Sequence, residues 1–547
     1  MSGNALNQTA VKIEAHSEKL NYDALRQLKQ SAYKNLKNRI LQDDSIGIRE
    51  DGSFYLKGDY YEKQLRIALR NCGIIDPDNI EDAVATDGYA ALAKLLENNI
   101  SGQSIVDDMI RANLRGRGGA GFNAGRKWAE ALSHSAPHKY IVCNADEGDP
   151  GAFMDRSILE LDPHSVLEGM AIAGYAIGAD KGFIYVRAEY PLAVKNLKTA
   201  ISQAMNKGLL GNNILGSDFS FSIELRLGAG AFVCGEATAL IESIEGHRGM
   251  PRNKIYRTAH KGLFQMPTVL NNVETLANVH MIMLKGVDWF RSIGTEDSPG
   301  TKVFSVVGKV LNAGLVEVPM GTPLNTIIYD ISGGIKNNKK LKAVQTGGPS
   351  GGCIPASLVD TTTVDFECLE SIGSIMGSGG MVVMDEDDCM VDIARFFMEF
   401  TVEESCGKCT PCRIGNKRIL EALNRITQGQ GQAKDLPYLK ELSEVIRDTS
   451  LCGLGQSATN PVLSTLHYFK DEYISHVKDK RCTAKVCRNL LVYFIGEGCI
   501  GCGLCSINCP VKCIEGERKI RHIIDTAKCI KCGTCMAKCP VHAINLR

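Results

Sequence analysis

Three textures of apolar and polar positions follow one another along the chain. Up to about residue 100, charged and apolar residues alternate at helical spacing, as in Tyr22-Asp23-Ala24-Leu25-Arg26-Gln27-Leu28-Lys29. Tyr61 to Arg70 and Gly88 to Leu96 continue the pattern as short amphipathic helices. From Ile105 to about Glu296, apolar strands alternate with helices across glycine-rich joints, which is the pattern of an α/β domain. Strands are expected at 139–143, 182–186 and 222–227. Residues 300–382 read as β-rich, with Lys302 to Gly308 and Leu315 to Val318 as strands and Gly333-Gly334 and Gly347 to Gly352 as turns. Helices resume after the acidic run Asp385 to Asp388, which reads as a solvated helix start rather than a metal site, because acids are ordinary at helix N-termini.

Composition narrows the picture. A chain of 547 residues is too long for one core and should hold about three to five domains. Its 62 basic and 62 acidic residues balance, giving no electrostatic case for nucleic acid or a membrane surface. No apolar run reaches the roughly 18 residues of a spanning helix and residues 1–26 carry no signal-peptide pattern, so a cytoplasmic protein is expected. In that compartment, 21 cysteines read as metal ligands rather than disulfides.

The last fifty residues carry the most specific signal. Cys499, Cys502, Cys505 and Cys509-Pro510 are followed by Cys529, Cys532, Cys535 and Cys539-Pro540 in the same C-x2-C-x2-C-x3-C-P spacing. That is the signature of a bacterial-type two-cluster ferredoxin domain, in which the fourth cysteine of each run crosses to the other cluster. One 4Fe-4S centre is therefore assigned to Cys499, Cys502, Cys505 and Cys539, the other to Cys529, Cys532, Cys535 and Cys509. Upstream, Cys406, Cys409 and Cys412 form a tight C-x2-C-x2-C triplet with Cys452 as a distant fourth thiol. This set suits a third 4Fe-4S cluster, with zinc as the alternative. Between them, His476, Cys482 and Cys487 resemble a structural zinc site, for which Cys513 or His522 would supply the fourth ligand; two buried thiols and a surface histidine are the plainer reading. The remaining cysteines 72, 143, 234, 353, 368 and 389 read as small core residues.

Three glycine-rich loops punctuate the α/β region: Leu114 to Phe122, Asn144 to Phe153 and Gly228 to Glu236. Glycines let backbone amides approach an anion, and a helix start adds its dipole. One such loop is often only a tight turn. Three, with Arg117 and Lys127 beside the first and carboxylates inside the second, point to a phosphate-bearing cofactor.

Gly116 to Phe122, Asn144 to Glu147, Cys234-Gly235-Glu236, Asn271 to Glu274 and the Cys406/Cys409/Cys412/Cys452 set resemble the NADH-oxidising flavoprotein subunit of respiratory complex I. With the ferredoxin tail, the chain is more similar to the β subunit of soluble electron-bifurcating hydrogenases and transhydrogenases. The resemblance spans roughly residues 58–547. It implies FMN against Gly116, Arg117, Gly118, Gly119, Lys127, Asn144, Asp146, Glu147, Asn271 and Asn272. A nicotinamide would stack over the flavin with Phe122 and Asp149 nearby, and Gly235, Glu236, Ala237 and Arg257 would belong to the dinucleotide site. No side chain is implied as acid or base. The implied domains are a helical N-terminal extension at 1–57, an FMN- and NAD(P)-binding α/β domain at 58–299 and a β-grasp-like domain at 300–382. A helical bundle with a 4Fe-4S cluster at 383–475, a zinc-site linker at 476–497 and the ferredoxin domain at 498–547 complete the chain.

Three departures from the family stand out. The N-terminal arm has too few cysteines for the 2Fe-2S domain common in hydrogenase β subunits. Glu236 is followed by Ala237 where the family usually places a second acid, and Lys254-Ile255-Tyr256-Arg257-Thr258 stands where it places an aromatic residue near the adenine. An acid at the ribose repels a 2′-phosphate and a nearby arginine favours it, so these changes tilt the site toward NADP(H). The reading is an NAD(P)H oxidoreductase subunit of a bifurcating complex, exchanging electrons with ferredoxin and with partners such as an Fe-S subunit, a hydrogenase, a formate dehydrogenase or a second nucleotide-binding subunit. Its rivals are a non-bifurcating NADH dehydrogenase subunit and a non-catalytic electron-relay scaffold.

Overall fold

The computed structural model describes residues 19–253 and 255–547, so the start of the N-terminal extension and Lys254 lie outside the described residues. Contacts divide the chain into two compact units. The first comprises Met1–Gly148, Ala152–Ser305 and Leu315–Thr322; the second comprises Asp149–Gly151, Val306–Gly314 and Pro323–Arg547.

The first unit is built on four parallel strands: β1 (Tyr140–Ala145), β2 (Lys181–Arg187), β3 (Ser222–Gly228) and β4 (Thr268–Asn272). They lie in the order β3-β2-β1-β4, with Val142 opposite both Phe183 and Leu270. The two central strands, β1 and β2, are buried almost throughout, whereas the edge strand β3 carries Glu224 and Arg226. The helix Pro163–Ile177 lies in the core, buried on nearly every side. Its ends are specified locally: Asp162 accepts from Ser165 N, Pro163 opens the first turn, and Gly178 closes it at φ 73°. Chain order reverses on either side of β1, so its C-terminal end and that of β4 flank a topological switch point. This is where open α/β sheets bind ligands.

The N-terminal arm differs from the helical extension that its patterning suggests. The helix Tyr22–Ile40 is present, capped by the Asn21 side chain. It is followed by a β-hairpin pairing Ile46–Ile48 with Phe54–Leu56, and Leu36, Ile40, Ile46 and Phe54 share an apolar cluster with Ile74 and Ile75. The amphipathic run from Tyr61 to Arg70 also departs from a helix after Glu62. Its amides are claimed elsewhere: Leu65 N donates to the Glu317 carbonyl, while Ala68 N and Leu69 N donate to the two Glu317 carboxylate oxygens, each at 2.9 Å. A buried carboxylate satisfied by amides outweighs weak helix propensity.

In the second unit, Leu341–Thr346 pairs antiparallel with Cys353–Pro355 and Gly380–Asp385. Helices Met390–Glu404, Asn416–Thr427, Asp435–Thr449, Asn460–Tyr468 and Lys470–Val477 follow, with Ile419, Leu423, Leu439, Ile446 and Val462 in their shared core. The last fifty residues repeat one design twice. Gly503 (φ 78°) and Gly533 (φ 79°) start the short helices Leu504–Ile507 and Thr534–Ala537, and two antiparallel strand pairs, Tyr493–Ile495 with Ile544–Leu546 and Ile514–Glu515 with Ile523–Ile524, frame them. Among the described residues no helix is long and apolar enough to cross a membrane.

Candidate functional site

The glycine loops meet at the switch point. Gly116 N donates to Phe122 O, closing the first loop, and Gly119 and Gly121 adopt positive φ that favours glycine. Gly118 lies so near Asn272 that a methyl group on it would sit 3.0 Å from the Asn272 Cβ. Asn144, at the end of β1, donates to the Gly235 carbonyl at 2.9 Å and accepts from Asp146 N. Asn271 accepts from the buried Trp128 Nε1, and Asn272 binds Asp155. Glu147 is buried and accepts from Asp155 N and Arg156 N, anchoring the helix Met154–Leu161. Lys127 stands over the Phe122 ring and donates to Leu270 O at 3.3 Å; burial pushes its pKa down.

Two observations suit an anionic, backbone-cradled group. A side chain at Gly148 would collide with Phe232 and with Arg187 Nη1. That Nη1 is itself a buried donor with no hydrogen-bond partner. Neither Arg187 nor Phe232 was singled out by sequence reasoning: Arg187 ends a strand outside the glycine loops, and Phe232 sits inside the third loop with no polar group to mark it.

Arg117 corrects the reading of its side chain as a flavin ligand. Its guanidinium is fully buried and donates to three backbone carbonyls, of Thr301, Arg115 and Pro299. Its amide donates to Thr275 Oγ1. The side chain therefore holds the 299–301 segment. Deeper still, Lys302 and Glu274 form a buried ion pair, and Glu274 also accepts from Val303 N at 2.9 Å.

Glu236 caps the helix Ala237–Ile244 by accepting from Thr238 N and Ala239 N, which leaves Ala237 as the first helical residue. Arg257 is exposed and meets Glu130 at 3.2 Å. Phe122 is 41% exposed, leaving a ring face open to a partner. Asp149 belongs to the second unit, where Ser378 Oγ donates to it at 2.7 Å. Burial pushes its carboxyl up to about 6, against the pull of that hydrogen bond.

The thiols sort into groups of two widths. Cys389, His476, Cys482 and Cys487 are all buried and offer ligand atoms within 4.8 Å of one another. The His476 Nδ1 donates to the Glu472 carbonyl at 2.7 Å, which turns Nε2 toward Cys389 at 3.3 Å and Cys487 at 3.4 Å. Burial opposes a charge on His476, yet the hydrogen bonds to Cys389 and Cys482 prevail and push it up to about 10. The spacing suits one tetrahedral ion with ligands about 2.0–2.3 Å away, and the fixed Nδ1 is the outer contact such a site uses. The fourth member of this grouping is Cys389, read from sequence as a core thiol, and neither Cys513 nor His522 belongs to it. Cys513 instead lies 3.5 Å from Cys509, and His522 lines a ferredoxin cavity. Nothing in a spacing rule reaches across 87 residues to Cys389.

Around Cys412 the set is wider. Cys409, Cys452 and Cys406 all act electrostatically on Cys412, whose pKa is pushed up to about 11, mainly by burial. Asn416 Nδ2 donates to its sulfur at 3.4 Å. Among the described residues these four are not a grouping whose ligand atoms all lie within 4.8 Å of one another. In the tail, one small cavity is lined by Cys499, Cys502, Cys505 and Cys539, and another by Cys509, Cys529, Cys532 and Cys535, with Cys513 also on its wall. The fourth cysteines have crossed as the duplicated spacing requires.

Comparison with known proteins agrees with this geometry. Residues 109–281 match the family described as Nuo51 FMN-binding domain, 392–476 the NADH-ubiquinone oxidoreductase-F iron-sulfur binding region, and 522–545 a 4Fe-4S binding domain. The chain is 58% identical over 462 residues to the NADP-reducing hydrogenase subunit HndC of Solidesulfovibrio fructosivorans, covering 84% of this chain and 94% of that protein. It is 43% identical over 416 residues to an NADH-quinone oxidoreductase subunit of Rhizobium meliloti, covering 76% and 98%. Among solved structures it is similar to an NAD+-reducing [NiFe]-hydrogenase in the air-oxidised state, at a TM-score of 0.66 and 34% identity over 76% of this chain and 68% of that one.

Proposed function

Because the chain belongs to the family of flavoprotein subunits shared by NADH-quinone oxidoreductases and an NADP-reducing hydrogenase, we propose that it is the NAD(P)H-oxidising subunit of an electron-bifurcating complex. The observation that carries this reading is the meeting of the Gly116, Asn144 and Gly235 segments at the switch point of a parallel sheet, in a chain that also holds three wide cysteine sets. FMN would lie against the backbone of Gly116, Gly118 and Gly119, with Lys127, Asn144, Asp146, Glu147, Asn271 and Asn272 around it and Arg187 as a further donor. The flavin supplies the exchange between hydride and single electrons that clusters need. The protein's part is to orient the dinucleotide over the flavin, with Phe122 on the nicotinamide side; no side chain need act as acid or base in the transfer. The antiparallel sheet of the second unit is taken as a β-grasp-like domain and the helices after it as the bundle around the Cys406 cluster. Ferredoxin, a hydrogenase and a second nucleotide-binding subunit are the partners this reading implies, and the cytoplasm its location.

NADP(H) is the favoured dinucleotide. Ala237 starts a helix, where an added carboxylate would complement the helix dipole, so Ala237→Glu should fold while returning negative charge to the ribose side. The ratio of kcat/KM for NADPH to that for NADH is expected to fall by about tenfold or more, the equivalent of roughly 1.4 kcal/mol. A parent enzyme that strongly prefers NADH, or a variant with an unchanged ratio, would refute the assignment.

The Cys389, His476, Cys482 and Cys487 set is proposed to hold one structural zinc ion. Metal analysis should return one zinc per chain. Cys389→Ser should lose that zinc while iron content stays at the parent value; iron as the sole metal in the parent would exclude zinc.

A further inference from the structure

The two halves of the tail repeat each other in backbone, and Cys502 and Cys532 are both exposed, but the halves differ in how their cations are engaged. At the Cys532 half, Arg488 donates to the Ile530 carbonyl at 3.3 Å and Lys531 Nζ binds the Asn489 carbonyl, so the chain entering the domain lies on this edge. At the Cys502 half, the turn 516–521 folds onto Gly501, Lys519 N donating to the Gly501 carbonyl at 3.1 Å. The turn sets Arg518, Lys519 and Arg521 beside Ile520 and Ile500, which are both 56% exposed, and beside the exposed Cys502. The three cations make no side-chain ion pair or hydrogen bond among the described residues.

Charge says what such an edge fits. Residues 498–547 contain eight Lys and Arg against three Asp and Glu, in a chain that is neutral as a whole. Exposed apolar side chains ringed by unpaired cations make a docking patch, whose charges steer an oppositely charged protein and fix its orientation. We propose that the edge formed by Arg518, Lys519, Arg521, Ile500 and Ile520 next to Cys502 docks a small acidic one-electron carrier protein, making this half the outer terminus of the domain. One electron passes between the domain and the carrier, one being oxidised as the other is reduced, with no bond or proton changing hands. The proposal rests on the reading of the tail as a two-cluster domain.

The test uses the anaerobically purified full chain and an acidic two-4Fe-4S ferredoxin as probe, with association measured by titration calorimetry at several salt concentrations. The parent should bind with an affinity that falls as salt rises. The triple variant Arg518→Glu, Lys519→Glu and Arg521→Glu should bind at least about tenfold more weakly at about 0.1 M salt, with iron content and reduction of a small viologen by NAD(P)H unchanged. Lys528→Glu with Lys538→Glu, at the Cys532 half, should bind like the parent. Equal binding by parent and triple variant, or an equal loss in the control, overturns the proposal. So does a salt-sensitive self-association that the triple variant abolishes, which would give the edge to a second copy. A parent with intact clusters that binds no ferredoxin sinks the proposal alone; a parent without cubane signals sinks the two-cluster reading as well.

Discussion

Cys452→Ser is expected to leave the flavin reducible by NAD(P)H while cutting electron delivery to a protein acceptor. The loss should exceed the roughly 10–100-fold that removal of a mere outer partner of a metal ligand costs, because a ligand itself is lost. Cys452 is buried and stands beside Cys412, with Gly455 so close that a methyl group there would lie 3.2 Å from the Cys412 Cβ. The serine fits that space, so the fold should persist and the defect should be confined to the iron–sulfur set. Rapid-mixing absorbance separates the phases: flavin bleaching at the parent rate, reduction of the acceptor nearly abolished. Unchanged acceptor reduction would remove this cluster from the route.

Lys302→Met should be the most destabilising single change in the first unit that leaves every proposed ligand in place. Lys302 and Glu274 are 0% and 1% exposed, and Asp155 lies near enough to feel both. Removing one partner of a buried pair costs about 3–5 kcal/mol because the other charge is stranded. Thermal unfolding should therefore begin several degrees lower, and Glu274→Gln combined with Lys302→Met should recover part of the loss. The pH dependence has a definite sign. Burial already raises the Glu274 carboxyl above 4.5, and Lys302 is the main group holding it down. Without Lys302 the folded pKa rises further, so the penalty is full above that folded pKa and fades as pH falls from it toward the unfolded value. A deficit that grew on acidification would contradict this assignment of the charge.

The cysteine chemistry was legible wherever ligands sit in one run. The duplicated tail spacing already indicated that the fourth cysteine of each run crosses to the other's cavity, though not that Cys513 joins one of them, and the glycine loops pointed to the end of β1. What stayed hidden depends on contacts between residues far apart in the chain. Cys389 carries no motif of its own and acquires a role only when Lys470–Val477 brings His476 to it. Arg117 looked like an anion ligand because a cation in a glycine loop usually is one, whereas three carbonyls from residues 115, 299 and 301 consume it. The Tyr61 to Arg70 helix fails for the same kind of reason, since Glu317 takes its amides. Local pattern predicts elements and ligand runs well; it does not report which distant polar group will claim a backbone or a guanidinium.

The most direct test is an anaerobic titration of the purified chain with NADPH, followed by flavin absorbance and by the electron paramagnetic resonance of reduced clusters. The account predicts bleaching of a flavin present at about one per chain, and signals from clusters holding about twelve iron atoms, four for each of three cubanes. A chain that is colourless, or whose flavin NADPH and NADH both leave oxidised, would contradict it.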